Sequence, residues 1–181
     1  MKFKKIFLYI VFFILLLVIF LIQKRVKVAF LTINRTNTYK VVTTLRFNMK
    51  LFQEKCYLDQ NKNNLGEYPS FSLLKSKKML PKDLQLIKPN ILKAHGYYYT
   101  LYLPKDITNQ ENFFIVYVWP AEYGVTGDFI MHVNQTNTKL SGKLKNSGIK
   151  QIPNIDAAYI KQGKNFKFSG KVKKDWSVLS K

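Results

Sequence analysis

The stretch TYKVVTTLRFNMKLFQEKCYLD, residues 38–59, predicts the element on which the body of this protein is built. Its apolar residues recur every three or four positions, which places them on one side of an α-helix. Asn37 or Thr38 would cap the start of this helix, and the polar segment DQNKNNLG would end it. We therefore predict an amphipathic helix that buries one face. The stripe consists of Val41, Leu45, Met49, Phe52 and Cys56.

Cys56 is the only cysteine of the chain. An intramolecular disulfide is therefore excluded, and so is a zinc site built from several cysteines. Its position on the apolar stripe predicts a small core residue. A reactive thiol is the alternative, although the sequence places no evident base beside it.

Upstream of this helix, the sequence MKFKKIFLYIVFFILLLVIFLIQKRVK contains seventeen uninterrupted apolar residues, from Ile6 to Ile22. As a helix this run is about 25 Å long, which is enough to cross a bilayer when the flanking lysines reach the interface. A cleaved signal peptide is the alternative. The run is longer than the apolar core of a usual signal peptide, and no small-x-small cleavage site follows it. We therefore predict an uncleaved membrane anchor.

These features divide the chain into a membrane anchor at 1–28, a polar linker at 29–37 and an ectodomain at 38–181. Basic residues border both ends of the apolar run, so their distribution does not decide the orientation. A short basic tail before an internal anchor usually stays in the cytoplasm. We therefore expect a single-pass membrane protein whose ectodomain lies outside the cytoplasm, in the periplasm or at the cell surface.

The sequence after the amphipathic helix predicts a short helix and then a sheet. The segment YPSFSLLKSKKML, residues 68–80, is typical of a short helix, and Pro81 would close it. From Gly96 onward, aromatic and branched residues between turn residues predict antiparallel strands. The predicted fold class is α+β, with the amphipathic helix packed on the sheet. The strand-length runs are GYYYTLYLP (96–104), NFFIVYVWP (112–120), DFIMHVNQ (128–135) and TKLSGKLK (138–145), with a hairpin turn at 134–137 and a short strand in FKFSGKVKKDW (166–176).

The stretch YVWPAEYGVTGDFIMHVNQT, residues 117–136, is the richest in reactive side chains. Its glycines favour a tight connection between two strands, in which Glu122 and Asp128 flank the turn. An envelope hydrolase that uses Glu122 or Asp128 as general acid or base is the alternative. His95 and His132 lack the acidic or cysteine cluster of a metal site, and we expect one exposed and one half-buried histidine.

Known catalytic signatures are absent from the sequence. GVTG lacks the lysine and the following helix of a phosphate-binding loop, and no Gly-x-Ser-x-Gly element occurs. We therefore predict a non-enzymatic protein with no catalytic residues, no metal site and no cofactor.

The formal net charge is +20, from 30 lysines and arginines, of which only Arg25, Arg35 and Arg46 are arginines. Such a skew is typical of an AT-rich genome. A surface selected to bind phosphate would favour arginine, which is the better phosphate reader and is almost absent here. A selected anionic partner is the alternative, since residues 139–181 carry a net charge of +9 and interleave lysines with aromatics. A DNA- or polyanion-binding function would use this Lys-rich end. Its candidate anion-binding residues are Lys161, Lys164, Lys167, Lys171, Lys173 and Lys174.

The order of elements resembles that of type IV pilins and type II secretion pseudopilins. The resemblance covers residues 38–145, and the Pro-Ala-Glu-Tyr-Gly-x-x-Gly stretch at 120–127 is also similar to a bacterial domain family of unknown function. The glycine before the prepilin processing site and the glutamate of the mature apolar helix are absent from MKFKKIFLYIVFF. The resemblance therefore implies a pilin-like interaction or assembly domain on a plain membrane anchor. The partners it implies are the lipid bilayer and other envelope, secretion or pilus proteins.

Overall fold

The computed structural model of this protein describes residues 2–88, 90–136, 138–141, 147–149, 159–162, 165–168 and 177–178. Its dominant element is one α-helix, α1, which runs from Lys2 to Glu54. At a rise of 1.5 Å per residue, these 53 residues extend over about 80 Å. The other helices are short: α2 (Phe71–Ser76) and α3 (Ile107–Gln110). The strands are β1 (Gln85–Lys88), β2 (Ile91–Ala94), β3 (Tyr97–Tyr102), β4 (Ile115–Pro120), β5 (Ile130–Val133), β6 (Thr138–Ser141), β7 (Tyr159–Gln162), β8 (Asn165–Phe168) and β9 (Ser177–Val178).

The predicted linker at 29–37 is helical and forms the middle of α1. The prediction that Asn37 or Thr38 caps a new helix is therefore wrong. Two causes explain the continuity: the first 54 residues contain neither glycine nor proline, and polar residues in and directly after this segment pack against the body. Asn34 and Thr38 are both buried. The asparagine and threonine residues of this segment have low helix propensity, but tertiary contacts override that propensity and the helix continues.

Seven strands form one antiparallel sheet in the order β1-β2-β3-β4-β5-β6-β9, and β7 and β8 pair in a second sheet. The central pair is β3 and β4, in which Tyr97 faces Pro120 and Tyr102 faces Ile115. The fold class is therefore α+β with an antiparallel sheet, as predicted. All four predicted strand-length runs contain a strand, and β5 pairs with β6, while Asn137 of the predicted hairpin turn at 134–137 lies outside the described residues.

The C-terminal part of α1 packs on one face of this sheet. Four of the five predicted stripe residues are buried there: Val41 is 4% exposed, Leu45 1%, and Met49 and Phe52 0%. Their cluster includes side chains from four successive strands of the sheet, so helix and sheet share one core. The sheet residues of this cluster are Leu92, Ala94, Tyr97, Tyr99, Val116, Val118, Met131 and Val133.

Strand β4 is buried along its whole length, because both of its faces are covered. Val116 and Val118 belong to the helix-facing core, whereas Tyr117 and Trp119 belong to a second cluster on the opposite face. Residues 147–149 contribute to this second layer: the Trp119 indole Nε1 donates a hydrogen bond of 2.9 Å to the Gly148 carbonyl. The continuous apolar pattern of β4 thus reflects a central strand between two packed layers.

Two predictions about this part of the chain are wrong. Cys56 is exposed rather than a core residue. Helix α1 ends two residues earlier, and Cys56 adopts a left-handed backbone with φ 48° as the chain turns away from the core. Strands β1 and β2 also precede Gly96, where we had placed the start of the sheet. Every residue of β1 is exposed, so it carries no alternation by which a strand could be recognised.

Candidate functional site

The stretch between β4 and β5 forms a compact turn at residues 121–128. The Ala121 amide donates to the Gly96 carbonyl at 2.8 Å, which anchors one side of the turn to β3. The Thr126 amide donates to the Glu122 carbonyl at 2.9 Å, which closes it. Gly124 has φ +75°, a backbone that favours glycine. The turn interpretation of this stretch agrees with these contacts.

Helix α1 contacts this turn from the middle of its length. The Asn34 carboxamide donates a hydrogen bond of 2.9 Å to the Thr126 carbonyl. The Arg35 guanidinium pairs with both carboxylate oxygens of Asp128, at 3.0 and 3.1 Å, and lies over the ring of Phe129. Because 51% and 39% of the two charged side chains are exposed, this ion pair contributes at most about 1 kcal/mol to stability. The contacts fix where α1 leaves the body, and we call this set the helix–turn junction.

The two carboxylates of the turn differ in their contacts with helix α1. Asp128 is engaged with Arg35, whereas Glu122 is exposed to solvent. The two acids are thus used differently, one as an ion-pair partner of α1 and one as a solvated side chain. The non-enzymatic assignment stays a prediction.

The two histidines lie in different environments. His95, at the β2–β3 turn, is half-buried and its Nε2 lies 3.3 Å from the Asp83 carboxylate. His132 is fully buried in β5, where its ring packs on Tyr117 at a centroid distance of 5.5 Å. The expectation of one half-buried histidine is therefore met by His95, whereas the expectation of an exposed one is wrong, because the other, His132, is fully buried. Across the described ranges, no group of three or more His, Cys, Asp or Glu side chains is placed to hold a metal ion.

Several tyrosines of the core are held in the neutral form. Burial, and to a lesser degree the negative charge of Asp128, raises the pKa of Tyr97 well above its usual range. Burial, with a smaller contribution from Glu54, raises the pKa of Tyr68 to about 12. These phenols therefore stay protonated at physiological pH and act as packing groups rather than bases.

The candidate anion-binding lysines fall mostly outside the described residues. Lys161 lies in β7 and Lys167 in β8, and the backbone of these strands pairs antiparallel. Lys164, Lys171, Lys173 and Lys174 lie outside the described ranges. Binding of DNA or another polyanion by this segment remains a prediction.

The largest exposed apolar surface belongs to the N-terminal part of α1. Every residue from Ile6 to Ile22 is exposed, between 43% and 71%. By its length and composition, this helix can cross a membrane. A groove along it is lined by residues between Ile6 and Leu16 of the same helix, so it is one face of the apolar segment rather than a ligand pocket.

The sequence did not reveal that Asn34, Arg35 and Thr38 belong to a contact surface. We had assigned the first two to a linker and the third to a cap. The absence of glycine and proline from residues 1–54 was the signal that could have indicated one helix, with these polar residues facing the body. The partners of Asn34 and Arg35 lie about 90 positions away in the chain, and nothing local encodes them.

Comparison with known proteins gives no match. No protein-family model, no curated protein and no solved structure matches this chain. We therefore infer its function from the geometry of α1, the helix–turn junction and the sheet.

Proposed function

We propose that this chain is a non-enzymatic, single-pass membrane protein of the bacterial envelope whose pilin-like body serves in assembly or interaction with other envelope proteins. One observation carries the proposal: a single unbroken helix is apolar and exposed along its first part and buried in the body along its last part. The apolar part requires a lipid environment or another apolar helix. Because the helix is continuous, its buried part connects the apolar part rigidly to the folded body.

The expected membrane affinity follows from the composition of the apolar run. Leu, Ile, Phe and Val at the centre of a membrane helix each contribute about −0.3 to −0.6 kcal/mol to insertion. Sixteen of the seventeen residues from Ile6 to Ile22, all but Tyr9, are of these types, and together they contribute on the order of −5 to −10 kcal/mol. This is enough to keep the chain in the bilayer without a second anchor.

The pilin-like assignment is supported by the way α1 joins the two regions. In the resemblance described above, an N-terminal apolar helix leads into an amphipathic helix that lies on an antiparallel sheet. Here the same order occurs in one continuous helix, and the junction residues Asn34 and Arg35 fix its exit from the body. Since the prepilin processing residues are absent from the N-terminus, we propose an anchored interaction domain rather than a processed filament subunit.

Membrane insertion is tested by extraction with alkaline carbonate. We expect the full chain to stay in the membrane pellet, and the double variant Leu15→Lys, Leu16→Lys to leave it, because each lysine at the helix centre costs about 2.5–3.5 kcal/mol. The matched control is Phe47→Lys, at a 63% exposed position of the same helix within the body, and it should remain in the pellet. Full extraction of the unmodified chain by carbonate would contradict the proposal.

The orientation is tested with the chain's own thiol. Cys56 is the only cysteine and is exposed, so a membrane-impermeant maleimide reports on which side the body lies. We expect labelling in intact cells whose outer layers are permeable to the reagent, and none in a Cys56→Ser control. Labelling only after the cytoplasmic membrane is opened would place the body in the cytoplasm.

A further inference from the structure

The loop that follows α1 carries oxygen-bearing side chains at alternate positions. It reads DQNKNNLGE, residues 59–67, with Asp59, Asn61, Asn63 and Glu67 at positions 1, 3, 5 and 9. Calcium loops of the helix–loop–helix type place their ligands at positions 1, 3, 5, 7 and 9. Position 12, which is a glutamate in those loops, is here Ser70, and its hydroxyl caps α2. A carboxylate in that role must therefore come from another part of the chain.

Glu111, which follows α3, approaches the loop from the body. It is only 5% exposed. Its Oε1 accepts hydrogen bonds from the Asn61 and Asn63 carboxamides, at 2.6 and 2.9 Å. The Tyr68 amide donates to the Gln110 carbonyl at 3.0 Å, which holds the end of the loop against this part of the body. Glu111 thus places a buried carboxylate beside the loop.

Glu67 is the second buried carboxylate at this loop. Its side chain is fully buried, and its Oε1 accepts a hydrogen bond of 2.8 Å from the Gln60 amide, so the carboxylate is aimed at the start of the loop. Its Oε2 is buried without a hydrogen-bond partner. A buried carboxylate oxygen without a partner costs several kcal/mol unless a cation satisfies it.

Cationic side chains do not provide this compensation. Within the described part of the chain, neither Glu67 nor Glu111 forms an ion pair with a lysine or arginine. This is notable in a chain of net charge +20, in which lysines are abundant. Glu67 accepts from residue 60, and Glu111 accepts from residues 61 and 63. Two buried acidic groups thus contact neighbouring residues of one short segment, where a bound cation would neutralise them.

We propose that this loop binds one calcium ion, held by the carboxylates of Glu67 and Glu111 and by oxygens of the loop. Rotation of the Asn61 and Asn63 carboxamides exchanges their nitrogen and oxygen, so both can present an oxygen to the ion. Asp59 shapes the loop, because its carboxylate accepts the amides of Asn63 and Asn64 at 3.2 and 3.0 Å. We call this set the Glu67–Glu111 loop.

The chemistry of the ligands favours calcium over other metals. Calcium takes six to eight oxygen ligands in flexible geometry, including carboxamide and backbone carbonyls, whereas magnesium requires a compact octahedron. Zinc prefers sulfur and nitrogen. The Cys56 thiol contacts the loop only through the Asn64 carbonyl, at 3.5 Å, and one thiol without a histidine is a poor zinc set.

Calcium titration of the full chain in detergent micelles, by calorimetry and by thermal unfolding, tests the proposal. We expect one site with Kd on the order of 10⁻⁴ M or tighter, and a midpoint of unfolding several degrees higher in calcium than in EGTA. Glu67→Gln and Glu111→Gln should each weaken binding at least about tenfold. Glu122→Gln, the same change at an exposed carboxylate of the β4–β5 turn, is the matched control and should bind as the unmodified chain does.

Two further arms keep the test decisive. If the glutamine variants do not fold, the double variant Asn61→Ala, Asn63→Ala changes only exposed residues of the loop and should also lose calcium affinity. Magnesium at the same concentration should give a much smaller shift. No calcium-dependent heat or midpoint shift in the unmodified chain, an equal response to magnesium, or unchanged affinity in the asparagine variant would each overturn the proposal.

Discussion

Replacing Phe52 with alanine should lower the free energy of unfolding of the body by about 3–5 kcal/mol. Phe52 is 0% exposed and lies in the core that α1 shares with the sheet. Its ring also packs edge-on against Tyr57 at a centroid distance of 5.2 Å. Truncation removes the transfer free energy of the ring and leaves a cavity that the surrounding strands only partly fill. The loss is a large part of the total stability of a domain of this size.

The same substitution at Phe47 is the matched control, because it lies on the same helix five residues earlier and is 63% exposed. We expect Phe47→Ala to change stability by less than about 0.5 kcal/mol. Denaturant titration of the full chain in micelles measures both, with the buried indole of Trp119 as reporter. Equal losses at the two positions would show that the C-terminal part of α1 does not pack on the sheet by this face.

Replacing Gly66 with alanine should destabilise the body by about 3 kcal/mol, at the upper end of the range for overpacking. A Cβ at this position would overlap the backbone carbonyl of Gln53 and lie 3.0 Å from the Cα of Cys56. These are backbone atoms at the end of α1, which cannot rotate away as a side chain can. Either the loop at 59–67 or the last turn of the helix must move.

Leu65→Ala is the control for this change, since Leu65 is the preceding loop residue and is 54% exposed. Its replacement should cost less than about 0.5 kcal/mol. Denaturant titration of both variants measures the difference between their free energies of unfolding. If Gly66→Ala were as stable as Leu65→Ala, this result would contradict the close contact between the loop and the backbone at the end of α1.

Periodicity predicted those parts of the fold in which one face is buried. The three- and four-residue spacing from Val41 to Phe52 identified the packed face of α1 correctly, because that face alone meets the sheet. The aromatic and branched runs identified β4 and β5 for a different reason, because these strands are buried at every position and are therefore apolar without alternation. Strand β1 was missed because all four of its residues are exposed, and Cys56 was misplaced because the helix ends just before it.

Long-range contacts could not be predicted from this single sequence. Arg35 and Asp128 are 93 positions apart, and Asn61 and Glu111 are 50 apart. Only the folded chain shows that a presumed linker docks on a turn, or that a polar loop receives a carboxylate from another element. The alternation of Asp59, Asn61 and Asn63 was visible in the sequence, but we interpreted it only as the polar end of a helix.

The helix–turn junction has a consequence for how the protein works in a membrane. Because α1 continues without a break from Ile22 to Val41, movement of the apolar part is transmitted to the body as movement of a rod. A flexible linker at 29–37 would instead let the body rotate freely above the bilayer. In the membrane-anchored interaction domain that we propose, this rod would hold one surface of the body at a fixed distance from the bilayer.

Spin labels at single cysteines, introduced from position 6 to position 52 in a Cys56→Ser background and reconstituted in liposomes, test the continuous helix most directly. We predict that labels at 6–22 are accessible to oxygen in the lipid. From residue 30 onward, accessibility should follow an unbroken period of 3.6 residues, with minima at Asn34, Thr38, Val41 and Leu45. Loss of this period between residues 29 and 37, or water-accessible labels throughout 6–22, would contradict a single helix that crosses the membrane and enters the body.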